Sequence, residues 1–538
     1  MHYACRFQKV YGHLAANCEL SCHTHEDAPM GKTVAGGRLT PPLAQCIIPA
    51  DPPSDRVSRA GEQGDAMEGS AAAKPLARSF RWIVLAIMSL ICFAQYYIYD
   101  SITPLNTLIR QQLGFSSAEY GQLFSFYSVG NVFFFLLLFA GVLVDKIGLK
   151  YSGILFGFLC FLGAVLTAVG AWKGLPGVLG PIHGWLGGSF APSFLPETVR
   201  GWWGKPWSAE LKVMLLGRMI YGVGAESILV VNNKILARWF KGKELAFAYG
   251  MNLTIMRLGT FLALNIQAPA AGWFGLRGAL WFASAIMGIG FSTYFIYLLM
   301  ERAARGRLGA PGVIEGGGVA PEEKFVLREA FSFDASFWFI SLLCVTFYSA
   351  VFPFQAYAPD ILVQKFGYSV VAAGHVASAL IFGTMIFTPI LGWFVDHRGK
   401  RATLMILGSL LLVPCHLLIG YTHFWPIVPI FFVGVALSLV PAALWAAIPM
   451  MVPESRLGTA FGVVGWVQNL GLWLFPMLAG MIADAHTTTV NGEQVVDYTS
   501  TMLMFVGLGL LGFVFSLLLK VTDARRKDGV SIEQVLLK

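Results

Sequence analysis

Two ionisable residues stand where the chain is otherwise almost free of charge. Glu226 lies within the apolar run 211–238, and Arg257 within the run 245–267. Glu226 falls 15 residues after Leu211 and 14 before Phe240, while Arg257 falls 13 after Glu244 and 11 before Ala268. Both are therefore central in their runs, at matched depth on consecutive segments. An acid and a base so placed either form a structural pair or divide a ligand between them. A carboxylate that holds an ammonium and a guanidinium that grips a carboxylate bidentately suit a zwitterion. Asn233, seven residues after Glu226, lies about 20° from it around a helix and shares its face. Arg218 is about 80° round from Glu226; it is expected to lock neighbouring helices through backbone carbonyls, or to couple to the pair.

The second half of the chain has no ionised group at comparable depth. It offers Tyr348, Phe352 and Gln355 on one apolar run, Trp445 on another, and Gln468 and Asn469 on a third. In the first run, Tyr96, Tyr97 and Asp100 make a polar end. The expected substrate-binding set is Glu226, Arg257, Tyr348, Trp445, Asn469, Asn233 and Tyr97. His375 and His416 read as structural. Cys18, Cys22, His23 and His25 contain zinc-ligand types but read as an incidental run in a polar tail, so no metal and no cofactor are expected. No nucleophile elbow or phosphate loop stands in a plausible context, and an enzyme is not expected.

The elements that must position these residues follow from composition. Of 538 residues, 56% are hydrophobic and only 13% charged, and mean hydropathy is +0.64. About a quarter of a soluble domain is charged, so the reading is an all-α polytopic membrane protein in contact with the lipid bilayer. The net charge of +8 carries no basic stripe interleaved with aromatics, which excludes nucleic acid as a partner. Crossing the hydrocarbon takes about 20 apolar residues. Such runs occur near 82–103, 118–144, 152–171, 211–238, 245–267 and 277–300, then near 336–357, 371–394, 402–421, 426–451, 459–482 and 501–519. This predicts twelve transmembrane helices in two six-helix bundles, at 81–300 and 335–519. A disordered tail at 1–80, a charged, Gly-rich linker at 301–334 and a tail at 520–538 complete the chain. Loops on the linker side are the richer in Lys and Arg, which puts both termini in the cytoplasm.

An internal repeat supports the division. Gly141-Val-Leu-Val-Asp145-Lys146-Ile-Gly148 follows the second run, and Gly392-Trp-Phe-Val-Asp396-His397-Arg398-Gly399 follows the eighth, 251 residues later. Two homologous halves with a site between them are a common transporter plan. The loop resembles the signature of the major facilitator superfamily, with Leu149 where a basic residue is common. The resemblance implies a cytoplasmic gate that includes Asp145, Lys146, Asp396 and Arg398, its acids pairing with basic helix ends when the gate is shut.

Further stretches are similar to the lysosomal dipeptide transporter branch of that superfamily. They include Gly217-Arg218, Gly222-x-Gly224-Ala225-Glu226-Ser227, Arg257-Leu-Gly259, Ala443-Leu-Trp445 and Gln468-Asn469-Leu-Gly471. The branch implies alternating-access transport of dipeptides, with Glu226 and Arg257 binding the termini. Alternatives are a proton-coupled symporter or exporter of another small organic ion, and a transport-dead receptor or scaffold. The loop 172–210 carries five Trp and suits the membrane interface; an accessory membrane protein is possible but not demanded. Glu533-Gln-Val-Leu-Leu537 is one residue short of an acidic dileucine signal, and a bacterial cytoplasmic membrane is preferred over a lysosome. Residues 1–66 have no apolar face to bury. Deleting them is expected to leave flux and melting temperature unchanged; a large loss of either would show that the tail packs on the membrane body.

Overall fold

A computed structural model describes residues 78–175, 207–240, 244–308, 333–453, 456–490, 493–525 and 531–534. The expected N-terminal tail and central linker therefore lie almost wholly outside the described residues, as does most of the Trp-rich loop.

The first half runs through α1 (Arg78–Asp100), a 3₁₀ turn at Thr103–Leu105, α2 (Asn106–Leu113), α3 (Ser117–Phe133), α4 (Leu136–Gly170), α5 (Ala209–Trp239) and α6 (Leu245–Leu308). The second runs through α7 (Ala335–Phe366), α8 (Val370–Ala377), α9 (Ala379–Arg398), α10 (Arg401–Tyr421), α11 (Ile427–Met451), α12 (Leu457–Ala485), the hairpin β1 (Thr487–Val490) and β2 (Glu493–Val496), and α13 (Thr499–Arg525). Among the described residues, ten helices are long and apolar enough to cross a membrane. One of them, in α6, makes two crossings, because Gly275 (φ 70°, ψ 171°) breaks it. Another crossing is built from two helical pieces: it is split at Phe135 (φ 52°) and ends at Gly148 (φ 77°), the glycine of the first signature loop. The described residues thus cross twelve times.

Three features depart from the expected spans. Helix α1 is followed by the extra helix α2, α7 continues nine residues past 357, and a hairpin stands before α13. A hydropathy ruler stops at the first charges. Here those charges are buried against the other half, and the helix continues.

The two halves repeat a particular contact. A Cβ on Gly222 would lie 2.0 Å from the Tyr127 carbonyl oxygen, and one on Gly434 would lie 2.0 Å from the Leu380 carbonyl oxygen. Tyr127 and Leu380 are 253 positions apart, as are the left-handed caps Gly114 and Gly367 and the N-caps Ser116 and Ser369. Each half therefore packs α5 on α3, or α11 on α9, through a bare backbone approach that only glycine allows. Between halves, α3 against α12 is the main seam. His375 Nδ1 meets Asn265 Oδ1 at 2.6 Å on the other seam, α8 against α6, and His416 is buried between Phe354 and Phe505. Trp172 takes the Arg277 guanidinium on its ring at 5.0 Å, and Trp207 packs on Phe126.

Gly222→Ala should cost about 1–3 kcal/mol by overpacking, read as a lower melting temperature in detergent. Gly250→Ala, with nothing within 4 Å, should not. Equal melting temperatures for the two variants would refute the packing account.

Candidate functional site

The glycine contact sets the first element of the site. With α5 drawn onto α3 at Gly222, Tyr127 reaches the next turn and its hydroxyl donates to Glu226 Oε1 at 2.7 Å. The Tyr127 ring is held in turn by Tyr99 at 4.9 Å and Tyr221 at 5.7 Å. Behind these rings lies Arg218, 1% exposed. Its Nε donates to the Leu123 carbonyl at 2.9 Å, and its two terminal nitrogens to the Ile98 and Tyr99 carbonyls at 3.4 and 3.3 Å. Its guanidinium also sits over the rings of Tyr99, Phe124 and Tyr221. Arg218 therefore fastens α5 to α1 and α3 through backbone carbonyls and cation–π contacts.

Arg257 is brought in by another bare approach, in which a Cβ on Gly259 would lie 2.3 Å from the Phe93 carbonyl oxygen. Its guanidinium lies 5.8 Å from the centre of the Tyr96 ring. Glu226 and Arg257 are both half-buried, and among the described residues no salt bridge joins them. The structural-pair option is not the arrangement adopted. The Tyr96 hydroxyl lies within electrostatic reach of Arg257, Glu226 and Asp100. Tyr348 accepts from Trp445 Nε1 at 3.0 Å and stacks on Phe352 at 5.6 Å with 4° between planes. Trp445 stacks on Phe461. The first half thus contributes charged groups at this depth, and the second contributes aromatic ones.

The remaining expected residues sit elsewhere. Tyr97 is turned away, 1% exposed, with its hydroxyl donating to Gln267 Oε1 at 2.8 Å; Tyr96 takes the place expected of it. One residue is 100° of helix rotation, and the sequence does not carry the rotation of α1. Asn233 is exposed on α5, two turns nearer the linker side than Glu226, and its carbonyl accepts from Tyr249. Asn469 lies in the seam, buried, donating to the Gly465 carbonyl and accepting from Asn131 Nδ2 at 3.4 Å. The Asp145 side chain lies outside what is described. Lys146, Asp396 and Arg398 are exposed, and among the described residues no ion pair joins the two signature loops.

The charged contacts between the halves lie instead at the far side, in a cluster that the sequence reading missed. Asp360 on α7, fully buried, accepts from Arg110 Nη1 at 2.8 Å, from Thr107 Oγ1 at 2.6 Å and from the Tyr498 hydroxyl. Asp484 accepts from the backbone N–H groups of Ser117 and Ala118 at 2.7 and 2.9 Å, so a carboxylate of the other half caps the N-terminus of α3. Gln355 Nε2 donates to Asp100 Oδ1 at 2.7 Å. Among the described residues no three His, Cys, Asp or Glu side chains gather as metal ligands.

Twelve crossings in two pseudo-symmetric bundles, with an acid and a base at matched depth in one of them and charged contacts joining the two at one end, define a membrane solute transporter. The Major Facilitator Superfamily model matches residues 85–369 and 354–536, and the chain belongs to that superfamily. It is 26% identical over 487 residues to the lysosomal dipeptide transporter MFSD1 of Danio rerio, covering 89% of this chain and 95% of the relative. To the Homo sapiens protein of the same name it is 28% identical over 422 residues, covering 77% and 82%. Among solved structures, a point mutant of the nucleoside transporter NupG superposes with a TM-score of 0.61 at 15% identity, covering 81% of this chain and 99% of that one. A bacterial homolog to the human lysosomal transporter Spinster, inward-facing and occupied, gives 0.61 at 16%, covering 84% and 98%.

Asp360→Asn should weaken the far-side bolt and leave the buried Arg110 charge uncompensated, a loss of about 3–5 kcal/mol in comparable pairs. Hydrogen exchange should then rise in α2 and at the α12–α13 turn. Unchanged protection there would show that the pair does not hold the halves together.

Proposed function

We propose that the chain carries dipeptides by alternating access, with Glu226 holding the ammonium and Arg257 the carboxylate. What supports this most is that both charges are partly buried at matched depth on consecutive helices, with no salt bridge between them among the described residues. Glu226 has the Tyr127 hydroxyl but no counter-charge, and a charge held partly out of water without one is costly, so a zwitterion that supplies both counter-charges gains by binding. The match over most of the chain to relatives named as dipeptide transporters points the same way. Two fixed charges favour one ligand length, since each residue of an extended peptide adds about 3.3–3.6 Å. The aromatic wall of Tyr348, Phe352 and Trp445 offers apolar contact with few directional demands, which suits loose reading of side chains. We place both termini in the cytoplasm, which makes the bolted end extracellular or luminal. A bacterial-type membrane is the preferred site, since Glu533-Gln-Val-Leu-Leu537 is one residue short of an acidic dileucine signal.

The test is ligand-induced stabilisation together with liposome flux, for free, N-acetylated and C-amidated dipeptides and for single amino acids. Blocking either terminus should cost at least about tenfold in affinity, since a charged hydrogen bond contributes about 1.5–3 kcal/mol. Glu226→Gln should weaken free-amine dipeptides more than N-acetylated ones. Arg257→Lys should impair binding because an ammonium lacks the bidentate fork. Equal responses to blocked and free peptides would overturn the clamp, and flux of another organic ion alone would transfer the site to that substrate.

A further inference from the structure

The two signature loops match in sequence but not in surroundings. Gly148 and Gly399 both hold positive φ, 77° and 65°. Around Gly148, nothing among the described residues lies within 4 Å of where a Cβ would stand. Around Gly399 that position is filled, with the Glu533 carbonyl oxygen at 2.6 Å and Gln534 at 2.8 Å. The occupant is the C-terminal segment 531–534. The Lys400 N–H donates to the Glu533 carbonyl at 3.0 Å. The Glu533 carboxylate accepts from the Thr403 N–H at 2.8 Å and from its hydroxyl, a charged cap on the first turn of α10. Arg401 Nη1 donates to the Ile532 and Gln534 carbonyls at 3.3 and 2.9 Å. Ile532 is fully buried, and Asp523 at the end of α13 accepts from its N–H and from the Ser531 hydroxyl at 2.6 Å.

We propose that this C-terminal segment is a latch that opposes closure of the linker-side gate. The latch presupposes the gate that the signature loops imply, in which closure brings the second loop against the first half and acids of the loops pair with basic helix ends. The latch already uses those donors: the Arg401 guanidinium and the open N–H of α10 both point at residues 532–534. The first loop, with space around Gly148, has no such occupant among the described residues. Closing the gate therefore requires the segment to leave or to be displaced, and the docked segment favours the state in which the far side is bolted. This inference concerns the gate and stands whether the substrate is a dipeptide or another solute.

The experiment places spin labels at Tyr151 and Trp393, exposed on opposite halves near the two loops, in the full-length protein in nanodiscs. Distances are compared for the parent, Glu533→Gln and a truncation before Ser531. Loss of one charged cap and its neighbouring bonds should raise the short-distance, closed population about three- to tenfold, and more in the truncation than in Glu533→Gln. Unchanged distributions in both variants, or a shift to longer distances, would overturn the latch. Should the truncation unfold, Glu533→Gln alone decides, its fold checked by melting temperature. A failed dipeptide assay with an intact distance shift would sink the substrate reading and leave the latch.

Discussion

The contact on which this conformation turns is the buried bond between Arg110 and Asp360. A charge taken out of water is tolerable only with a complete set of partners, and Asp360 has three donors, two of them from the first half. Its position at the far side draws α2 onto α7 and holds that end shut. Deeper in the membrane, Glu226 and Arg257 lie on α5 and α6 with no salt bridge between them among the described residues.

The bond also sits near the internal symmetry of the fold. Thr107 and Asp360 are 253 positions apart, the offset that relates the Gly114 and Gly367 caps. Equivalent positions of the two halves therefore meet each other, as they would across the axis of a symmetric dimer. One half supplies the hydroxyl and the other the acid. The two halves thus differ in side-chain chemistry at matched positions, and they differ likewise deeper in the membrane, where the first supplies Glu226 and Arg257 and the second Tyr348 and Trp445.

Much of this was legible in the sequence, for identifiable reasons. Span number follows from the cost of exposing polar backbone to lipid, which leaves apolar runs of one length. Glu226 and Arg257 stood out because charge in such runs is expensive, and the repeat because Gly, Asp and Gly recur in register. What escaped notice depends on tertiary placement. Tyr96 and Tyr97 are neighbours of identical type, and only the packing of α1 on α6 decides which one faces inward. Arg110, Asp360 and Asp484 lie where hydropathy ends, so each reads as part of a loop until a partner some 250 or 370 residues away is brought to it. Tyr127 carried no signal of its own, because its role depends on Gly222 admitting α3 to within contact of α5.

Helix α10 is tied at both of its ends by other elements. At its start the Glu533 carboxylate occupies the Thr403 N–H. At its finish the Lys365 ammonium, from the end of α7, donates to the Ile419 and Gly420 carbonyls. The groups that a helix leaves open at its termini are here the handles by which it is pinned along its axis. A helix so held cannot slide like a piston against its neighbours without breaking charged bonds at one end or the other. The second bundle is thereby left with tilting as a block as its cheapest large motion, and α10 serves as the stiff strut that carries a tilt from one face of the membrane to the other.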